Sequence, residues 1–151
     1  MKVRGEIRFS ALLLIALGFN MALISSPGLA QSAAKDIVGT WSLVSAAAYG
    51  PNPIGQFTFD ATGHFSSILM RSDLPKYASN NRTQGTPEEY KATVQGSNAT
   101  FGAYSVAGTE PRLHVVGSTF ANWNDKDQVR TELFVTANEM RYIQPNPSAG
   151  W

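Results

Sequence analysis

Histidine is the first side chain to consider for chemistry, and the chain carries two, His64 and His114, fifty residues apart. Protein metal sites usually draw on closely paired ligands such as H-x-H or H-x-x-x-H, and neither spacing occurs. The chain has no cysteine, which excludes thiolate metal ligands, disulfides and a cysteine nucleophile. No Ser-His-acid order or glycine-rich phosphate loop is present. We therefore predict no catalytic residue, no metal site and no cofactor.

A predicted strand at residues 128–136 has two chemically different faces. Side chains alternate along a strand, so Gln128, Arg130 and Glu132 share one face and apolar side chains occupy most of the other. In one interpretation the apolar face packs in the core and Arg130 lies in solvent. In the other, Gln128 and Arg130 face a cavity, where the guanidinium binds a carboxylate or enol oxygen through two hydrogen bonds.

The aromatic residues divide between packing and ligand contact. We expect Trp41, in the first predicted strand of the domain, to be structural. Trp123 follows Asn122 in a predicted loop, where an aromatic ring beside a polar neighbour either covers a cavity or anchors the loop. Met70 and Tyr104 supply core or cavity surface.

Seven segments have the alternation and β-branched or aromatic content of strands, and short turns join most of them. Such a series favours an antiparallel meander, which closes into a barrel or folds into a sandwich. The predicted strands are residues 37–45, 56–59, 64–70, 100–106, 113–118, 128–136 and 139–144.

One helix is marked by a capping box. Thr86 is a cap residue, Pro87 suits the first helical position, and Glu89 stands three residues after the cap. We predict a helix that runs to about Val94 or Gln95 and stops at Gly96.

Residues 1–30 have the layout of a secretory signal peptide. Three basic residues precede a fourteen-residue apolar stretch at 11–24, and the small residues Gly28 and Ala30 follow it. A membrane-spanning helix needs about 20 apolar residues, which favours a cleaved signal over an anchor. We predict cleavage near Ala30, no membrane anchor afterwards, and a secreted or periplasmic domain of residues 31–151.

The net charge of that domain limits the classes of partner that it is expected to bind. The full chain has 12 basic and 11 acidic residues, and removal of residues 1–30 leaves nine basic against ten acidic residues, a net charge of −1. No basic run survives. We therefore expect neither nucleic acid nor an anionic membrane surface as a partner.

An ordered set of segments resembles the bacterial and fungal lipocalin-like domain family. The first, Val38-Gly39-Thr40-Trp41, is similar to the G-x-W signature of lipocalins, and the likeness runs from about Asp36 to Gln144. The resemblance implies a small antiparallel up-and-down barrel with an interior cavity and one short helix. It also implies that Gly39 and Trp41 form the structural signature of the family. The other similar segments are residues 59–66, 70–71, 86–89, 117–118, 122–123 and 128–130.

The resemblance favours the inward orientation of Gln128 and Arg130, and it makes His114 a further inward candidate. The residues predicted to contact a ligand are therefore Met70, Tyr104, His114, Asn122, Trp123, Gln128 and Arg130.

The end of the chain departs from the family pattern. Family members usually continue into a final strand that closes the barrel, whereas this chain ends in the turn-like residues 146–151. Either the barrel is open at this edge or the last strand is lacking. An unpaired edge beside the first strand favours self-association through that edge.

These features lead to one functional prediction and two alternatives. We predict an exported barrel that binds a small, largely apolar or weakly acidic molecule, whose acidic or carbonyl group meets Arg130 or His114. The first alternative is an isomerase or cyclase type of enzyme that uses His114 or Glu132 as acid or base in the same cavity. The second is an interaction protein that assembles through the open sheet edge.

Overall fold

The computed structural model of the protein describes residues 6–11 and 35–148, whose main elements are nine strands and the α-helix of residues 87–96. Two short 3-10 turns, Ala47–Tyr49 and Ala121–Trp123, interrupt the loops. The strands and the helix are β1 (Glu6–Ala11), β2 (Gly39–Ala46), β3 (Pro53–Phe59), β4 (His64–Arg71), α1 (Pro87–Gly96), β5 (Ser97–Ala107), β6 (Glu110–Ser118), β7 (Lys126–Val129), β8 (Thr131–Val135) and β9 (Glu139–Ile143).

All strand pairs are antiparallel, in the order β7-β6-β5-β4-β3-β2-β1-β9-β8. The two ends of this sheet meet, because β7 and β8 are consecutive in the chain. The peptide N–H groups of Arg130 and Leu133 donate to the carbonyls of Pro111 (2.7 Å) and Thr109 (3.0 Å) beside β6. The sheet is therefore a nearly closed barrel, in agreement with the predicted fold class.

The edge that the sequence pattern leaves open is filled from the N-terminal side. Strand β1 lies between β2 and β9 and pairs with both of them. Its residues 6–11 belong to the predicted signal peptide, whose other residues, 1–5 and 12–30, lie outside the described part of the chain. The predicted cleavage near Ala30 remains a prediction.

The strand predicted at residues 128–136 is divided into β7 and β8 at Arg130, and β8 contains a bulge. In the pairing of β8 with β9, three residue steps from Thr131 to Phe134 match two steps on β9, and Glu132 has a φ of 56°. The extra residue changes the phase of alternation. Consequently Arg130 and Leu133, which strict alternation would place on opposite faces, are both buried.

An aromatic cluster around Phe57 fills the barrel interior. Its ring stacks on Phe59 at 4.3 Å between centroids and meets the edge or tilted face of Phe9, Phe65 and Tyr142 at 5.7 to 6.3 Å. These residues come from strands β1, β3, β4 and β9, so one core joins the first and last described strands.

The signature residues lie at the start of β2. Trp41 is buried, and its indole N–H donates to the carbonyl of Ile37 at 2.8 Å, so the ring is packed with its polar atom satisfied. Gly39 begins β2 opposite Phe59.

Helix α1 forms as its capping box predicts. The Glu89 N–H donates to the Thr86 hydroxyl (3.2 Å), and the Thr86 N–H donates to the Glu89 carboxylate (2.8 Å). The helix ends at Gly96, as expected. Within residues 6–11 and 35–148, no helix is both long enough and apolar enough to span a bilayer.

Candidate functional site

A cavity of about 660 Å³ occupies one end of the barrel. Inward side chains of the strands, including Phe57 and Leu69, form its apolar wall. Segments outside the strands complete its mouth. They are the 3-10 turn Ala47–Tyr49, the loop residue Arg82, the last turn of α1, the loop around Trp123, and residues 144–148 after β9. A volume of this size is typical of sites for small organic molecules.

The buried polar residues of the described chain converge on this cavity. They are Ser67, Asn98 and Arg130, and all three line it. Ser67 and Asn98 occupy inward positions of β4 and β5, where the surrounding inward residues are mostly apolar. A mostly apolar wall with a few convergent polar groups is the composition expected of a binding site.

Arg130 is the buried cation of this site, with 6% of its surface exposed. Its Nη1 donates to the carbonyl of Val129 at 3.3 Å, and its guanidinium carbon lies 5.6 Å from the ring centroid of Tyr142. Its Nε is buried and has no hydrogen-bond partner. None of the ion pairs between described residues involves Arg130.

Two tyrosines of the cavity lining, Tyr49 and Tyr142, influence this cation. Burial lowers the pKa of Arg130, and the two tyrosines oppose that shift. Burial raises the pKa of Tyr142 and raises the pKa of Tyr49 to about 12. An arginine loses its proton only at very high pH, so at neutral pH the buried cation Arg130 lies beside two neutral hydroxyls, and the exposed Arg82 adds a second cation to the lining. This set can bind an anionic oxygen.

Of the seven residues predicted to contact a ligand, the structure places Arg130 and Trp123 in the cavity lining. Trp123 packs edge-on against Phe120 at 5.6 Å and is half-buried at the mouth. Asn122 is its exposed neighbour and is not part of the lining. Gln128 is half-buried opposite Leu113 on β6, also outside the lining.

The remaining three residues lie elsewhere. Tyr104 contacts Phe59 and donates its hydroxyl to the carbonyl of Asp60 at 2.7 Å, at the turn between β3 and β4. Met70 follows the outward phase of β4, whose inward positions include Phe65 and Leu69. His114 is on the outer face of β6.

His114 belongs to an external ion cluster. Its Nδ1 lies 3.0 Å from Asp127 Oδ1, and Arg112 Nη1 lies 3.2 Å from the other oxygen of the same carboxylate. The hydrogen bonds from His114 and Arg112 lower the pKa of Asp127. Glu132 lines a separate concavity with Phe134. Among the described lining residues of the large cavity there is no histidine and no carboxylate.

Sequence reasoning missed several polar residues of the lining, among them Ser67, Asn98, Tyr49 and Tyr142. Ser67 was detectable, because it falls between Phe65 and Leu69 in the apolar phase of its strand. Tyr49 carries no such signal, because it lies in an irregular turn.

An antiparallel barrel with a partly polar cavity at one end defines a class of small β-barrel proteins. The sequence profile of the lipocalin-like domain family matches residues 38–147, and the chain belongs to that family. No curated protein and no solved structure matches the chain. The family resemblance seen in the sequence is thus confirmed, and its bacterial or fungal source stays a prediction.

Proposed function

We propose that the barrel binds a small, largely apolar molecule with one acidic group, and that this group meets Arg130. The observation that carries the proposal is the buried guanidinium on the cavity wall, with an unpartnered Nε and no carboxylate paired to it in the described chain. An uncompensated buried charge costs several kcal/mol, because protein solvates it less well than water. A bound anion offsets that cost and supplies the missing acceptor.

The apolar part of the ligand follows from the rest of the lining. Phe57 and Leu69 form a wall of low polarity, and Trp123 stands at the mouth. Burial of an alkyl or aromatic group against these side chains stabilises the complex by about 25 cal/mol for each Å² of apolar surface removed from water. Binding is favoured over acid-base catalysis because the described lining holds neither histidine nor carboxylate.

A matched pair of probes tests the proposal. Decanoate and 1-decanol share their chain and differ in charge, and both are titrated against the neutral fluorophore N-phenyl-1-naphthylamine bound to the protein. We expect decanoate to displace the fluorophore at concentrations about tenfold lower, since a hydrogen bond to a charged group contributes about 1.5–3 kcal/mol.

Arg130→Met should abolish the preference for decanoate while it keeps the apolar cavity. Arg112→Met is the control, because it removes an exposed arginine from the outer face of β6. A preference that persists in Arg130→Met would refute the role of Arg130. Failure of the wild-type protein to bind the fluorophore or either probe would refute the binding function.

We also propose that the protein is exported, as the basic, apolar and small-residue layout of residues 1–30 indicates. The intact mass of the protein recovered from its own host tests this proposal. We expect a chain that starts at Gln31, and a chain that still starts at Met1 would contradict export through a cleaved signal.

A further inference from the structure

The space between β2 and β9, filled by β1, has the features of a specific binding site for one extended strand, and we call it the strand slot. Residues 6–10 of β1 pair in register with β9, from Glu6 opposite Ile143 to Ser10 opposite Glu139. On the other side β1 pairs with β2, from Ile7 opposite Ala46 to Ala11 opposite Trp41. The backbone of residues 7–10 thus has strand partners on both sides.

The inward side chains of β1 are part of the barrel core. Phe9 is 1% exposed and contacts Phe57 and Tyr142 at ring distances of 5.7 and 5.8 Å. Ile7 is also buried and forms part of the cavity wall. Removal of β1 would therefore uncover the aromatic cluster and open the cavity on one side.

The outward side chains of β1 match charges on β9. Both Nε and Nη2 of Arg8 donate to one oxygen of Glu139, at 3.0 and 2.6 Å. Glu6 lies 3.6 Å from Arg141 Nη1. The slot therefore selects for an extended segment with inward apolar and aromatic residues and an outward basic residue between them.

The predicted cleavage near Ala30 would cut the covalent link to this strand without breaking any of these contacts. We propose that the strand slot is a binding site for residues 6–11 of this chain, and that the segment stays there as a separate strand after the chain is cut. Its loss would leave β2 and β9 with unpaired edges, which are prone to pair with other chains.

Native mass spectrometry of the folded full chain tests the proposal, with a specific protease site introduced at residues 25–30. After the cut, we expect the two pieces to remain in one complex of unchanged total mass. A C-terminal piece that appears alone would overturn the proposal, and so would a dimer of C-terminal pieces, because the slot would then accept a second copy instead.

Two variants distinguish insertion of residues 6–11 as a strand from non-specific adhesion of the apolar residues 11–24. Phe9→Asp places a carboxylate in the aromatic cluster and should weaken retention of the N-terminal piece at least about a hundredfold, whereas the outward Ser10→Asn should leave retention unchanged. Equal retention in both variants would overturn the proposal.

Hydrogen exchange of the uncut wild-type chain gives a readout that does not depend on the variants. We expect the amides of residues 7–10 to exchange slowly, like those of the neighbouring β2. Exchange of these amides at the rate of an unfolded peptide, with β2 protected, would show that the segment does not occupy the slot.

Discussion

At the scale of single residues, burial of Tyr49 determines whether its hydroxyl is neutral or charged in the cavity. Tyr49 is in the cavity lining, and burial is the main cause that raises its pKa from 10.0 to about 12. The hydroxyl therefore stays neutral at pH values where an exposed tyrosine ionises. A neutral hydroxyl beside Arg130 does not repel an acidic ligand.

The raised pKa of Tyr49 predicts a loss of stability at high pH. Between pH 10 and about 12 the unfolded chain has released the Tyr49 proton and the folded chain still holds it, so the free energy of unfolding falls as the pH rises. We expect Tyr49→Phe to reduce the steepness of this fall. Urea denaturation at a series of pH values from 9 to about 11.5 measures the change in the free energy of unfolding with pH. Identical slopes for the variant and the wild type would contradict the prediction.

At the scale of elements, one extra residue within β8 decides which side chains enter the barrel. The bulge at Glu132 lets both Arg130 and Leu133 point inward. Arg130 thus lines the polar part of the cavity, and Leu133 packs in the apolar core. A regular strand of the same composition cannot place both inside.

Deletion of Glu132 should restore strict alternation and turn either Arg130 or Leu133 towards solvent. We expect the free energy of unfolding to fall by about 2 kcal/mol or more, the usual cost of losing a large buried side chain. If Arg130 is the residue that moves to the solvent side, the preference for decanoate should also disappear. Denaturation with urea and the displacement assay measure the two effects.

The control is Glu132→Gly, which keeps the residue count and suits the positive φ of 56° at this position. We expect this variant to keep the preference for decanoate. A deletion variant as stable and as selective as Glu132→Gly would show that the bulge does not determine the orientation of these residues.

At the scale of the whole molecule, the core and the cavity share a wall. Phe57 lies at the centre of the aromatic cluster and also lines the cavity. Because its neighbours come from both ends of the described chain, its packing joins the barrel into one cooperative unit. Binding and stability are therefore coupled at this residue.

Phe57→Ala should lower the free energy of unfolding by about 3–5 kcal/mol, the range for loss of a buried phenylalanine ring. Val94→Ala, at the cavity mouth, is the control, because Val94 is 76% exposed and its truncation should change stability by less than about 0.5 kcal/mol. Urea unfolding of both variants measures the difference. Similar losses in the two variants would contradict a core centred on Phe57.

The local features of the fold were predictable because their signals lie close together in the chain. The capping box from Thr86 to Glu89 satisfies the first amides of α1 with side chains three residues apart. The turn at Asp60 is similar, since its carboxylate accepts hydrogen bonds from the N–H groups of Thr62 and His64. The alternation of the strand predicted at residues 56–59 is consistent with the burial of both Phe57 and Phe59.

The candidate site was predictable only in part. Arg130 and Trp123 line the cavity, which is one of the two interpretations that the sequence left open for each, whereas His114 is on the outer face of its strand. Tyr142 reaches Arg130 from β9, the strand that pairs with β8, whereas Tyr49 comes from a turn far earlier in the chain. No sequence spacing predicts the contact with Tyr49.

The sequence by itself determined the β-rich pattern and the start of the helix, because side-chain alternation and short-range hydrogen bonds encode them. Its composition excluded thiol chemistry, and its ordered segments carried the resemblance to the lipocalin-like domain family. Only the tertiary structure decided that β1 lies between β2 and β9, that a bulge brings Arg130 inside, and that two tyrosines meet it there. These outcomes depend on barrel closure, which pairs strands from opposite ends of the chain and sets the register of each side chain.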